Sequence, residues 1–193
     1  MEENKKGVKE RIVDAAWELF YDKGYDNTTV DDIINLSETS KGSFYYYFEG
    51  KDALLTTLST ILDEWYEELE ENMDPNMNNF VKLLYLNYEM HAMMEKRISY
   101  ELVASLYSTQ LITKSESSLL DQNRTYYKLI GKVIEDGQKK GQITRDKAGS
   151  AIAKYYAMCE RALVTEWCLS KGGYSLAAYS KEYMPVMMEK FKA

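Results

Sequence analysis

The sequence predicts an all-α protein of about nine helices, and three observations carry that expectation. Apolar residues recur at three- and four-residue spacing along nearly the whole chain, as in Ile12, Ala15, Ala16, Leu19 and Phe20. That period buries one face of a helix. Only two prolines and ten glycines stand among 193 residues, too few turn-formers for a strand-rich fold. Clusters of cap-forming residues, above all Ser37-Glu38-Thr39-Ser40, punctuate the periodic segments.

In chain order, the first helix runs from about residue 6 to 23, with Val8 and the stripe just named facing inward and Gly24 ending it. Thr29 caps the second helix, with the carboxylate of Asp32 three residues on. Val30, Ile33 and Ile34 form its apolar face and Leu36 closes it. A third helix begins near Ser40 or Lys41. It turns Phe44, Tyr47 and Phe48 inward and leaves Lys41, Gly42, Ser43, Tyr45 and Tyr46 outside. The fourth is expected as one long helix from Lys51 to about Met73, because Leu54, Leu55, Leu58, Ile61, Leu62, Trp65, Tyr66 and Leu69 keep helical spacing. Asp74-Pro75-Asn76 breaks it. Further helices are expected at about 77–92, 96–109, 115–140, 146–170 and 175–191, the last kinked by Pro185.

Two short helices joined by a tight polar turn form a helix-turn-helix, whose second helix can enter a DNA major groove. The outward residues suit that task. Lys41 reaches a phosphate or a guanine edge, Ser43 donates or accepts, Gly42 allows close approach, and the tyrosines pair an apolar ring with a hydroxyl.

The run from Val8 to Leu54 resembles the N-terminal DNA-binding domain of the TetR family of bacterial transcriptional regulators. IVDAAWELFYDKGYDNTTVDDI and SKGSFYYYFEGKDAL carry the likeness over about 47 residues. Three positions depart from the family pattern: Glu38 where Gly is frequent, Thr39 in place of a small apolar residue, and Tyr46 where His is common. The resemblance implies a DNA-binding domain over residues 1–50 and an effector-binding and dimerisation domain over 51–193. It implies base contacts from Ser40, Lys41, Gly42, Ser43 and Tyr45, and phosphate contacts from Thr28, Thr29, Tyr46, Tyr47 and Lys51. Lys5, Lys6 and Lys9 form a further basic cluster that could touch phosphate.

The family also implies a homodimer through the last two helices, about 146–192. The residues support this independently. Ile152, Tyr155, Tyr156, Cys159, Ala162, Leu163, Trp167, Leu176, Tyr179, Tyr183, Val186, Met187 and Phe191 exceed what one helix face needs for its own core. A two-fold dimer would set two recognition helices about 34–36 Å apart on a near-palindromic double-stranded DNA operator.

Seventeen tyrosines and ten methionines suggest a pocket for a small apolar or aromatic effector. Its candidate lining is Tyr85, Tyr88, Met93, Tyr100, Tyr107, Tyr126, Tyr127 and Trp167. Glu89, Glu101, Asp121, Glu160 and Glu166 lie among these aromatics, and a carboxylate beside aromatic faces suits a cationic ligand.

Charge pulls against DNA binding. The net charge is −7, and residues 1–51 hold seven Lys/Arg against eleven Asp/Glu. DNA affinity depends on where positive charge sits more than on the sum. The acidic head nevertheless keeps an alternative open: a helical interaction protein of the same fold that regulates a protein partner without reading DNA. Enzymatic function is not expected, and neither a cofactor nor a metal is. His91 is the single histidine, and no HExxH, GxSxG, P-loop or dinucleotide fingerprint occurs. Cys159 and Cys168 are nine residues apart, too far along a helix to pair locally. The charged N-terminus has no apolar signal core and no apolar run reaches 18 residues, so a cytoplasmic protein is expected.

Overall fold

The computed structural model describes residues 7–112 and 118–193. Ten α-helices lie in these stretches: α1 (Val8–Lys23), α2 (Val30–Leu36), α3 (Lys41–Tyr47), α4 (Lys51–Leu55), α5 (Leu58–Asn72), α6 (Asn79–Arg97), α7 (Tyr100–Ile112), α8 (Thr125–Lys139), α9 (Gly149–Leu169) and α10 (Leu176–Met188). Short 3-10 turns occupy Ser118–Leu120 and Glu189–Phe191, and an isolated antiparallel bridge joins Ile143 to Lys192. The chain divides into two compact units. One holds the residues up to Thr60 and the stretch that starts at Glu101; the other holds Ile61–Tyr100 and Leu119–Ala193.

In the first unit, α1, α2 and α3 pack on one another around Ile12, Ala16, Phe20, Ile33 and Phe44. α4 adds Leu54 and Leu55 to the buried set, and α7 adds Leu102, Val103 and Leu106. Two polar ties fasten the periphery. The Trp17 indole donates to Thr57 Oγ1 at 2.8 Å, and Lys51 Nζ donates to the Tyr25 carbonyl at 2.7 Å with its charge 4.1 Å from the Tyr25 ring centre. The Tyr25 hydroxyl in turn donates to Asp52.

The expected fourth helix is two helices. The break falls at Thr56-Thr57, where consecutive hydroxyls turn back on the chain. Thr56 Oγ1 donates to Ala53 O, Thr57 Oγ1 to Leu54 O and Ser59 Oγ to Thr56 O, at 2.6–2.7 Å. Side-chain hydroxyls that compete for helix carbonyls weaken the ladder. Apolar spacing stays in phase across the break, so periodicity alone did not reveal it.

The second unit is a helical bundle in which α6 packs on α8 and α10, and α9 packs on α8 and α10. Leu83, Leu86, Ile130, Ile134, Ile152, Leu163 and Met188 fill its centre. Two expected boundaries are corrected here. α6 continues to Arg97, because Met94 is still buried and Lys96 and Arg97 suit a helix C-terminus; extended backbone at Ile98 then ends it. The expected helix from 115 to 140 starts only at Thr125, since Asp121 folds an Asx turn onto the Asn123 amide (2.9 Å). Residues 113–117 of that expectation lie outside the described residues. Ser175 caps α10 by accepting from the Ala178 amide, and Glu95 of α6 accepts from the Ala177 amide at 3.1 Å. His91 is buried against α10, with Nδ1 2.5 Å from Ser180 Oγ, and burial pushes its pKa down to about 3. It is therefore a neutral core residue. No helix among the described residues is long and apolar enough to cross a membrane.

Candidate functional site

The helix-turn-helix is built by caps that the local sequence supplies. The Thr29 amide donates to Asp32 Oδ2 at 2.8 Å, and the Asp32 amide donates back to Thr29 Oγ1 at 3.2 Å, a reciprocal capping box. Lys23 Nζ stands 2.7 Å from the same carboxylate oxygen. The Lys23 ammonium, then the Thr29 hydroxyl and amide, hold the Asp32 carboxyl well below the usual carboxylate range. At α3, the Ser43 amide donates to Ser40 Oγ at 3.0 Å, which sets the helix start at Lys41.

Between the two helices the chain turns through Glu38, which holds the left-handed conformation at φ +51°. Arg11 of α1 braces this turn: its Nη1 donates to the Ser37 carbonyl at 3.0 Å. The turn hydroxyls of Ser37 and Thr39 meet at 2.8 Å. Arg11 was not singled out in the sequence. Its signal is a lone arginine on the first helix, which says nothing of a carbonyl 26 residues away.

The structure sets the ten expected DNA-contacting residues in different situations. Ser40, Lys41, Gly42, Tyr45, Tyr46 and Tyr47 are exposed at one end and along one side of α3, with Tyr46 81% exposed and Ser43 half-buried beside Ser40. Lys41 Nζ lies 3.6 Å from Asp31, an exposed pair that yields readily to a phosphate. Tyr47 was expected on the inner face and lies outside, its ring edge-on to Tyr46 at 4.8 Å between centres. Phe44 and Phe48 suffice to fill the core side of this short helix. Thr29 is exposed, but its hydroxyl is engaged in the capping box. Lys51 is half-buried and engaged at Tyr25, as described. Thr28 requires a correction. It is 1% exposed, and its hydroxyl donates to the Gly24 carbonyl at 2.8 Å, so it closes the end of α1 and has no free hydroxyl for phosphate. Lys9 is exposed, whereas Lys5 and Lys6 lie outside the described residues.

The strained turn yields a first prediction. A non-glycine residue in the left-handed region costs about 1–2 kcal/mol, which glycine avoids. Glu38→Gly is expected to raise Tm by about 2–4 °C for a chain of this size. It is also expected to raise affinity for DNA, since a carboxylate leaves the turn between the two helices. Thermal melting and DNA titration of the same preparation check both; a lower Tm would show that the Glu38 side chain holds the turn.

In the second unit, the expected effector-lining residues do not form a single group. Tyr126 and Tyr127 are buried edge to face, 4.7 Å between ring centres, and Tyr66 of α5 lies 5.1 Å from Tyr126. Trp167 is buried and donates to the Tyr174 carbonyl at 3.1 Å. Tyr85, Tyr88 and Met93 are half-buried on α6, with Lys181 of α10 5.6 Å from the Tyr88 ring centre. Tyr100 is half-buried against Gly172. Tyr107 belongs to the first compact unit and the other seven to the second.

Of the five carboxylates noted among the aromatics, Glu101, Asp121 and Glu166 are exposed and Glu89 is half-buried. Glu160 alone of these is buried, at 7% exposure, and it organises a polar cluster that the sequence did not disclose as such. Tyr126 donates to Glu160 Oε2 at 2.5 Å, Asn87 Nδ2 donates to Oε1 at 3.1 Å, and Tyr66 approaches Oε1 at 3.5 Å. The only available signal was polar residues at positions that helical spacing assigns to the core: Asn87 four residues after Leu83 and Glu160 four before Val164. Among the described residues no group of three or more His, Cys, Asp or Glu could hold a metal.

Residues 12–58 match the family described as bacterial regulatory proteins, tetR family. The chain is 30% identical over 142 residues to an HTH-type transcriptional regulator in the lacX 3′ region of Lactococcus lactis subsp. lactis, covering 71% of this chain and 67% of that protein. It is 28% identical over 164 residues to the HTH-type transcriptional regulator QacR of Staphylococcus aureus, covering 82% and 85%. The fold is similar to that of Thermus thermophilus FadR, a TetR-family transcriptional repressor in complex with lauroyl-CoA, with a TM-score of 0.75 at 19% identity over 94% of this chain and 93% of that one.

Proposed function

Since this chain belongs to the TetR family of bacterial regulatory proteins and is a DNA-binding transcriptional regulator, we propose that it acts as a homodimeric repressor, released from a palindromic operator by a small apolar or aromatic ligand. The observation that carries the reading is α3. It is capped by Ser40, fixed inward by Phe44, and displays Lys41, Gly42, Tyr45, Tyr46 and Tyr47 outward on one short helix. Lys41 and the α3 N-terminus are the base-reading end, and the tyrosine hydroxyls meet the flanking phosphates. The acidic surroundings do not forbid this, because Lys41 stands exposed where α3 begins and its exposed pairing with Asp31 is weak.

The dimer reading draws support from α9 and α10. Met158, Leu169, Tyr183 and Val186 are large apolar side chains exposed on these two helices, more apolar surface than a solvated helix pair needs. The effector reading draws support from the aromatic cluster of Tyr66, Tyr126 and Tyr127 in the second unit. A ligand held there need only favour the DNA-incompetent arrangement by about 1–3 kcal/mol to change operator affinity 5- to 150-fold.

Fluorescence anisotropy on DNA from upstream of the protein's own gene, against random duplex over a salt series, tests the reading. Lys41→Ala is expected to weaken operator binding about tenfold and to shrink the preference over random DNA. Lys51→Ala is expected to weaken both DNAs alike and to lower the salt slope by about 2, one phosphate contact from each subunit of the dimer. Equal losses on both DNAs from both substitutions would contradict that division. The acidic head favours a second reading, a regulator of a protein partner. It predicts that neither upstream DNA nor any duplex selected from a random pool binds with a salt-dependent preference.

A further inference from the structure

We propose that the Glu160 cluster is a recognition site for the protonated amine of an aromatic effector, a primary or secondary ammonium with N–H groups to donate. This rests on the effector reading above and names the chemical class of that ligand. Three observations converge on it. First, a buried carboxylate of the second unit has no cation in contact with it: none of the ion pairs among the described residues involves Glu160, and the Arg161 charge acts on it only from a distance. Arg161, its neighbour in sequence, is directed to the Tyr127 hydroxyl at 3.2 Å. Burying a carboxylate without a counter-charge is costly, and a helix core has no structural need of it.

Second, the cluster has acceptor capacity left over. Asn87 is 1% exposed, and its amide nitrogen is spent on Glu160 Oε1, while its Oδ1 has no hydrogen-bond partner. A buried amide oxygen left bare is costly unless something donates to it. Glu160 Oε1 accepts from Asn87, and the Tyr66 hydroxyl, 3.5 Å away, is at the outer limit of a second hydrogen bond, so this oxygen can take a further donor. An ammonium supplies both missing parts, a positive charge for the carboxylate and N–H donors for Oδ1 and Oε1. A quaternary ammonium supplies only the charge, and an alcohol only a single donor.

Third, the neighbours of the acid are aromatic. Tyr66, Tyr126 and Tyr156 surround the acid. The Tyr126 hydroxyl is fixed on Oε2 and the Tyr156 hydroxyl on the Leu83 carbonyl at 2.8 Å, so their ring faces are held in place. Such faces accept both an aromatic ring and the periphery of a cation. In keeping with the absence of a contacting cation, burial pushes the Glu160 carboxyl upward against the hydrogen bonds from Tyr126, Asn87 and Tyr156 and the Arg161 charge that hold it down.

The test is calorimetric titration of the purified full chain with three probes of one shape: 2-phenylethylammonium, its N,N,N-trimethyl analogue and 2-phenylethanol. The primary ammonium is expected to bind about tenfold more tightly than either other probe, the worth of a charge-assisted buried hydrogen bond. Glu160→Gln is expected to abolish the preference over the alcohol, and Asn87→Leu the preference over the trimethyl form. Operator affinity and helical content, measured without probe, identify any variant that has failed to fold. Should Glu160→Gln fail in this way, the three-probe comparison on the native chain and Asn87→Leu still decide. Equal binding of the three probes, no saturable binding of the ammonium, or a preference that survives both substitutions overturns the proposal. A native chain that reads its operator yet shows no ammonium preference sinks this inference and leaves the repressor reading standing. A chain that prefers the ammonium but binds no operator does the reverse.

Discussion

Arg124→Ala is expected to destabilise the second unit by about 2 kcal/mol, because it breaks a part-buried ion pair from one side only. Arg124 Nε lies 2.9 Å from Asp63 Oδ2 and Nη2 lies 3.0 Å from Oδ1, a bidentate arrangement with the two side chains only 10% and 17% exposed. The same Oδ1 accepts from the Tyr126 amide at 3.2 Å, so Asp63 of α5 also caps the first turn of α8. Two polar contacts extend the seam along α5: Glu67 accepts from the Thr125 hydroxyl at 3.0 Å, and Glu70 meets Lys132 at 2.5 Å. The exposed Lys132 pair contributes little on its own. The Arg124 pair differs because truncation leaves a carboxylate largely out of water.

Urea unfolding checks the expectation, with a lower midpoint at an unchanged slope as the signature of lost stability rather than altered compactness. The comparison that separates charge stranding from lost packing is the double substitution Asp63→Leu with Arg124→Met. Replacing both partners by apolar groups is expected to cost less than Arg124→Ala alone. A double variant as unstable as the sum of its singles would mean that the seam acts through packing volume. The seam also reaches the Glu160 cluster: Tyr126, whose amide is held by Asp63, carries the hydroxyl that grips Glu160.

What the sequence disclosed, and what it hid, divides by the range of the forces involved. The caps at Thr29 and Ser40 were legible, because a capping box needs only residues three apart and the chain writes both partners side by side. The outward set Lys41, Gly42, Tyr45 and Tyr46 followed from where Phe44 and Phe48 must point. Tyr47 was misjudged because a seven-residue helix has too few turns for its periodicity to fix one flank residue. The break at Thr56-Thr57 was hidden for a related reason. The apolar phase continues through it, and the three hydroxyls that bend back on the ladder leave no mark on hydrophobic spacing. The Thr28 hydroxyl looks like any exposed loop threonine until the end of α1 is in place to receive it. Least legible was the Glu160 cluster. Its members stand at positions 66, 87, 126, 156 and 160 and meet only when four helices are packed, so a polar residue on an apolar stripe was the whole of the signal.

Phe44→Ala is expected to abolish operator binding while leaving the second unit folded. Phe44 is fully buried at the meeting of α1, α2 and α3, with its ring edge-on to Tyr45 at 5.3 Å and tilted toward Phe48 at 5.9 Å between centres. Emptying such a site costs about 3–5 kcal/mol. The helices around it are short, seven residues each in α2 and α3, and have no stability apart from this core. Local unfolding of α3 removes Lys41 and the tyrosines from any fixed geometry, so affinity is expected to fall to the level seen with random duplex. Amide exchange distinguishes this from a global effect, with protection lost in α2 and α3 and retained in α6, α8, α9 and α10. Tyr46→Ala is the contrasting variant. Its side chain is the most exposed of the tyrosines on α3, so stability is expected to stay within about 0.5 kcal/mol while operator affinity falls. If Phe44→Ala kept operator affinity with α3 protection gone, the exposed face of α3 could not be what reads DNA. If Tyr46→Ala lost as much stability as Phe44→Ala, then Tyr46 would be a packing residue, and its ring would have to lie against the head rather than in solvent.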